Sequence, residues 1–284
     1  MEYVTLNNGV KMPMVGFGVF EIPQEETARC VYDALDVGYR LIDTAQAYYN
    51  EEQVGDGIQM AIQKLGIRRE DIFLTTKVWV TEFGYEKTKA SVLESMKKLQ
   101  VDYLDLVLIH QCLSDYYGAY HALEDLYDEE KIRAIGISNF SAERMADIAT
   151  FNRVVPAVNQ VETHLLWQQY DLHDWMEKYH IQHEAWGPLA QHRMKEILVN
   201  PIVKKIAENH GKTPAQIALR QQVQRGIVVI PKSTHKDRMR QNLDVFDFTL
   251  TEAEMKELKT LDEKKSMWAA YDDPMIVQYA MSEE

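Results

Sequence analysis

Apolar residues along this chain follow two alternating rhythms: short runs that are continuous or of period 2, then longer stretches with apolar positions every three or four residues. The short runs read as strands at 15–19, 40–45, 72–79, 103–110, 132–140, 156–162, 181–189 and 227–233. The stretches between them read as amphipathic helices. In 25–38, Cys30, Ala34 and Val37 share a face and Gly38 supplies the stop. Segments 86–99, 119–131 and 141–151 behave alike, and the longer seventh interval predicts two helices, 204–210 closed by Gly211 and 214–225 closed by Gly226. Capping-box spacing predicts two further helix starts, Asn50 with Gln53 and Thr251 with Glu254. Residues 3–13 predict a small hairpin around Asn7-Asn8-Gly9, placed to cap one end of whatever follows. Strands and helices alternating every roughly 25 to 40 residues are the cadence of βα units in a parallel sheet. The simplest architecture is one (β/α)8 barrel, a TIM barrel in α/β class terms, over residues 1–284, with a tail from about Lys264 near the barrel mouth.

Composition agrees with one large folded unit. The chain has 284 residues, and such barrels reach ~250 residues as single domains. It is 46% hydrophobic and 26% charged, enough apolar residues for a sizeable core. The net charge of −13, with no basic stripe, argues against nucleic-acid or anionic-membrane partners. No apolar run reaches membrane-span length and the opening residues carry no leader pattern, so a cytoplasmic location is expected. Cys30 and Cys112 stand far apart, without a CxxC pair, and are expected to be reduced.

In a parallel barrel, chemistry gathers at the carboxyl ends of the strands. Read in order from the second, those ends carry Asp43, Lys77, His110, Ser138-Asn139, Asn159-Gln160, Trp186 and Lys232-Ser233. By alternation Asp43 shares a face with Tyr39 and Leu41, Lys77 with Phe73 and Thr75, and His110 with Leu106 and Leu108. Three successive apolar strands thus finish with an ionisable group aimed into the barrel mouth, and a phenol, Tyr48, follows Asp43 by five residues. An ammonium beside a phenol favours its phenolate and is expected to lower its pKa from about 10 by one to three units. Lys77 is placed for that part, with Asp43 holding Lys77 charged and His110 orienting a substrate oxygen. Such a set suits proton donation to a carbonyl oxygen whose carbon receives hydride. No second carboxylate is placed for glycoside hydrolysis and no Ser or Cys nucleophile stands by a base. His180 and His183 have ligand-like spacing, but neither HExxH nor HxH occurs, and no metal is expected.

These residues, with GVKMPMVGFGVF at 9–20, GYRLIDTAQAYYNE at 38–51, KIRAIGISNFS at 131–141, NQVE at 159–162 and IPKS at 230–233, resemble an aldo-keto reductase, most closely the bacterial type that includes 2,5-diketo-gluconate reductase. The resemblance spans essentially the whole chain. It implies reversible NADPH-dependent reduction of aldehydes and ketones, usually without metal, by a protein expected to be a monomer acting on small carbonyl compounds. It implies Tyr48 as proton donor, Lys77 and Asp43 as the groups that tune it, and His110 as the group that positions the carbonyl. Ser138, Asn139 and Gln160 match residues that bind the nicotinamide carboxamide, and Trp186 matches the aromatic stacked on that ring. Lys232, Ser233, Arg238 and Asn242 match the adenosine end, where Lys232 and Arg238 suit a 2′-phosphate. A GxGxxG loop is absent, which removes a Rossmann reading.

Several positions depart from the pattern. Gln111 follows His110 where many relatives place tryptophan, Gln241 replaces an acidic residue before Asn242, Thr163-His164-Leu165 replaces aromatic-His-Pro, and Gln191, His192 and Arg193 occupy the loop after strand seven. Trp79 and Gln111 are expected to line the substrate pocket. Tyr116, Tyr117, Trp268 and Tyr271 are further candidates for its rim, with the tail as a lid. Two other readings of the same barrel are a non-catalytic NADP-binding sensor and a cofactor-free isomerase using Asp43 and His110. The isomerase leaves Trp186, Lys232 and Arg238 without a shared purpose.

Overall fold

All eight predicted strands form, in the predicted order and each trimmed at one end or both. The computed structural model describes residues 2–268 and 273–282. The hairpin comes first, β1 (Tyr3–Thr5) with β2 (Lys11–Pro13), turning on Gly9 at φ 85°. The barrel strands follow as β3 (Phe17–Gly18), β4 (Leu41–Asp43), β5 (Phe73–Val78), β6 (Leu106–Ile109), β7 (Ile135–Ser138), β8 (Val158–Glu162), β9 (Gln182–Trp186) and β10 (Val228–Val229). Each pairs in parallel with its successor from β3 to β10.

The ring closes through backbone alone. Val15 bridges Val229 in parallel, Gly16 N donates to Val229 O at 2.8 Å and Gly18 N to Pro231 O at 3.3 Å. That seam is tight: a Cβ on Gly16 would lie 2.5 Å from Leu41 Cδ2, and one on Gly18 3.0 Å from the Ile230 carbonyl. Glycine lets the first and last strands meet. At the opposite end Asn7 Nδ2 donates to Pro156 O and Asn8 Nδ2 to Arg133 O, both just ahead of barrel strands, so the hairpin caps the amino end.

The helices Gln24–Val37, Tyr85–Lys98, Tyr116–Asp128, Ala142–Phe151, Pro201–His210, Pro214–Gln224 and Glu252–Lys259 lie where the periodicity predicts them. Gly38 takes the left-handed cap at φ 115°, and Thr251 forms its capping box with Glu254. Asn50 departs from expectation. The helix Glu51–Leu65 starts there, but the Asn50 side chain makes no cap. Its amide nitrogen donates to Val19 O and its oxygen accepts from Thr44 Oγ1, which ties two strand-end loops together beside the mouth. Buried inside those loops, the amide satisfies their backbone rather than its own helix. Four helices were not predicted: Tyr170–Lys178, Met194–Val199, Lys236–Leu243 and Met275–Ser282. Among the described residues no helix is long and apolar enough to cross a membrane.

Candidate active site

The carboxyl ends of the strands surround a cleft of about 1380 Å³ lined by Tyr48, Trp79, His110, Asn139, Trp186 and Arg238 among others. Four side chains from three strands and one turn meet at its floor. Lys77 is fully buried, and its ammonium has three acceptors: Asp43 Oδ1 at 2.6 Å, Thr44 O at 3.0 Å and Tyr48 Oη at 3.0 Å. Lysine has three N–H donors and no acceptor, so all are committed and Tyr48 can only accept from it. The phenolic O–H is left to point elsewhere. Tyr48 sits on a single 3-10 turn, Gln46–Tyr48, and lines the cleft with Phe20 against it at 5.0 Å between centroids.

Burial is the largest influence on the Lys77 ammonium and opposes its charge, yet Asp43 and Tyr48 together raise its pKa above the ordinary lysine value. The expectation for Tyr48 is corrected in sign. Burial pushes the phenol above its usual pKa, Lys77 lowers it, and the Asp43 and Glu184 carboxylates raise it again. The ammonium does act in the expected direction; burial, invisible in the local sequence, outweighs it. At neutral pH the phenol is therefore a protonated acid.

His110 directly follows β6, with its ring 5.9 Å from Tyr48 and 4.9 Å from Trp79, both edge-on. Burial, and then the nearby Lys77 charge, holds its pKa well below the usual histidine value. Its buried Nδ1 has no hydrogen-bond partner, which favours the proton on Nε2.

Along the rest of the cleft, Asn139 adopts φ 63° and donates to His110 O, while its Oδ1 accepts from Trp186 Nε1 at 2.8 Å. Ser138 Oγ donates to Gln160 O, and Gln160 Nε2 donates to Asp43 Oδ2 at 2.8 Å. Asn159, one residue earlier on β8, turns away and donates to Phe140 O. Lys232, Ser233, Arg238 and Asn242 line the far end, and neither Lys232 nor Arg238 makes an ion pair among the described residues. Gln111, Gln191, His192 and Gln241 also line the cleft, whereas Arg193 turns to Glu196 and Glu263.

Other expectations are redistributed. Trp268 reaches the cleft, as do Met275 and Ile276 of the last helix. Tyr116 and Tyr117 do not line it: Tyr116 packs edge-on against Phe140, and Tyr117 donates to Asp147 at 2.7 Å. Both open a helix and lean onto the next one. Tyr271 lies outside the described residues. His183 bonds Thr163 Oγ1 and the His173 ring, and among the described residues no group of three or more His, Cys, Asp or Glu could hold a metal.

The sequence reading missed Phe20, Thr44, Glu162 and Glu184. Glu162, buried at the end of β8, accepts from His164 Nε2, Ser266 Oγ and Met267 N, and so fastens the tail segment to the barrel rim. For Glu184 the signal was a carboxylate inside an otherwise buried strand run, IQHEAW.

A family model described as aldo/keto reductase family matches residues 14–263. The chain belongs to that family. Aldo/keto reductases are oxidoreductases acting on carbonyl groups, and the relatives bear such names. The chain is 44% identical to the glyoxal reductase of Bacillus subtilis (strain 168), covering 92% of this chain and 93% of the relative. It is 39% identical to the methylglyoxal reductase DkgA of Escherichia coli (strain K12), covering 93% and 94%. Among solved structures, the aldo-keto reductase MGS-M4 from a Medee basin deep-sea metagenome library superposes with a TM-score of 0.92 at 44% identity, covering 95% of this chain and 98% of that one. As an aldo/keto reductase the chain shares the eight-stranded barrel of its structural neighbours.

Proposed function

We propose that this aldo/keto reductase reduces small aldehydes and ketones to alcohols with NADPH, Tyr48 giving the proton. The observation that carries the reading is the saturation of Lys77: all three of its donors are used, one of them on Tyr48, so the phenolic hydrogen is the group free to face a substrate. When bound along the cleft, the reduced nicotinamide supplies a hydride to the carbonyl carbon.

The chain's own residues do the rest. Tyr48 transfers its proton to the carbonyl oxygen as negative charge develops there, and Lys77 steadies the phenolate left behind. Asp43 keeps Lys77 charged and fixed. His110, neutral and with its proton on Nε2, donates a hydrogen bond to the same oxygen. Phe20, Trp79 and Trp186 wall the cleft with apolar surface, which disfavours water around the reacting oxygen.

The residues lining the cleft fit a dinucleotide in their chemistry. Ser138, Asn139 and Gln160 offer amide and hydroxyl groups beside the half-buried face of Trp186, which suits a nicotinamide and its carboxamide. Lys232 and Arg238 are cations that make no ion pair among the described residues, next to Ser233 and Asn242, which suits a ribose 2′-phosphate and favours NADPH over NADH. Two exposed cations lining one cleft offer an anion a place to bind. Trp79 and Gln111 take the substrate side, and the names of the two relatives make small α-dicarbonyls the first substrates to try.

The test is titration of the purified protein with NADPH by tryptophan quenching, followed by NADPH consumption with glyoxal, methylglyoxal, simple aldehydes and sugars. Binding with turnover supports the reductase; binding without turnover on any of them favours a sensor; and no binding removes the assignment of Trp186, Lys232 and Arg238.

A further inference from the structure

Beneath the four residues at the floor, the barrel interior holds an ionisable group that the reaction as proposed does not use. Glu184, in the middle of β9, is fully buried. Its Oε2 accepts from Gln160 Nε2 at 2.9 Å, and its Oε1 has no hydrogen-bond partner. The same amide nitrogen donates to Asp43 Oδ2, so both hydrogens of Gln160 are spent on carboxylates. Gln160 and Glu184 are register partners on adjacent strands, which puts their side chains on the same face of the sheet. An unbroken chain of bonds results, from Glu184 through Gln160, Asp43 and Lys77 to Tyr48.

We propose that Glu184 is a positioning residue of the reaction, coupled through Gln160 and Asp43 to the proton of Tyr48. The inference rests on Tyr48 being the acid.

Charge balance gives the physical reason. The ionisable groups facing Glu184 are Asp43 from β4, Lys77 from β5 and Tyr48 from the 46–48 turn. β8 presents the neutral Gln160, and the register partner on β10 is the apolar Val228. His183, next on its own strand, belongs to the other face with Thr163 and His173. One cation, Lys77, therefore serves two carboxylates and a phenol. Burial, and then the Asp43 charge, pushes the Glu184 carboxyl up to about 8, with Gln160 and Lys77 opposing. Below that pH Glu184 is neutral, and the Lys77 and Asp43 charges balance. Above it, a second negative charge appears and holds the proton on Tyr48 more firmly. Reduction, which needs the phenol, then persists to higher pH, and alcohol oxidation, which needs the phenolate, starts later.

Glu184→Gln keeps the volume and an acceptor for Gln160 but removes the titration. With each enzyme normalised to its own plateau, the alkaline limb of kcat for reduction is expected to move down by about half a pH unit or more, with the onset of alcohol oxidation moving the same way. Glu184→Leu, also neutral but unable to accept from Gln160, should show the same displacement. Alkaline limbs that coincide in the wild type and both variants overturn the proposal, leaving Glu184 a packing residue.

A second readout needs no turnover. The infrared difference between wild type and Glu184→Gln should contain the C=O band of a protonated carboxyl at pH 7 and lose it as the pH passes about 8. Absence of that band at pH 7 sinks the role of Glu184 alone, whereas a present band in a protein that reduces no carbonyl sinks the reading of Tyr48.

Discussion

The Lys77 ammonium donates to the Tyr48 hydroxyl across 3.0 Å, and it does so with its other two hydrogens already taken by Asp43 and Thr44. A lysine so placed cannot drift, and the phenol above it has one orientation left for its proton. Tyr48→Phe removes that proton and nothing else of size. Carbonyl reduction should fall by at least about a hundredfold, the range of a lost general acid. NADPH affinity, read by tryptophan quenching, should stay within about twofold, since the proposed nicotinamide contacts come from other strands. Turnover near the wild-type rate in the variant would remove Tyr48 from the mechanism.

Lys77→Met leaves the Asp43 carboxylate buried without its cation. Losing one partner of a buried pair costs about 3–5 kcal/mol, so chemical denaturation should show a drop of that size together with loss of reduction. Lys77→Met with Asp43→Asn should regain much of the stability and none of the activity.

Arg238→Ala removes one of the two cations assigned to the 2′-phosphate. The dissociation constant for NADPH should rise about tenfold or more while that for NADH changes little. Equal weakening of both cofactors would place Arg238 elsewhere along the dinucleotide.

His183 is buried against Thr163 and His173, and burial holds its pKa well below the usual value, His173 and Arg225 adding to the effect. The unfolded chain protonates this ring below about pH 6.5 while the folded one does not, so folded stability is lost as pH falls from there toward the folded value. Replacing His183 with Gln should flatten that acid slope in urea midpoints taken between about pH 7 and 5. A slope identical to wild type would assign it to other groups.

Strand order, helix rhythm and the ionisable ends of strands were legible because they depend on local alternation and on the direction of a parallel strand. Asp43, Lys77 and His110 could be aligned on one mouth for that reason, and Tyr48 followed from its loop. What could not be read depends on partners distant in sequence. The net direction of the Tyr48 pKa rests on burial beneath Phe20 and beside Glu184, the latter brought in from more than a hundred residues away. Asn50 has the right type and place for a cap, and only the nearness of Val19 and Thr44 diverts it. The helix Tyr170–Lys178 begins after Gln169 in a left-handed conformation without a side-chain cap, so its start carries no capping signature. Tyr116 and Tyr117 stand at a loop end as pocket aromatics would, yet helix packing draws both away.

The seam between Val15 and Val229 joins positions roughly two hundred residues apart by backbone bonds, with Gly16 and Gly18 letting the strands approach closely. Contacts of such long sequence separation form late, because the loop entropy they close must be offset by structure already made. The barrel can become a ring only after its last strand has been synthesised, and Gly18, Ile230, Pro231 and Lys232 on either side of that junction also line the cleft. A dinucleotide lying there would span the last joint to close, so the ligand and the final step of folding would stabilise each other.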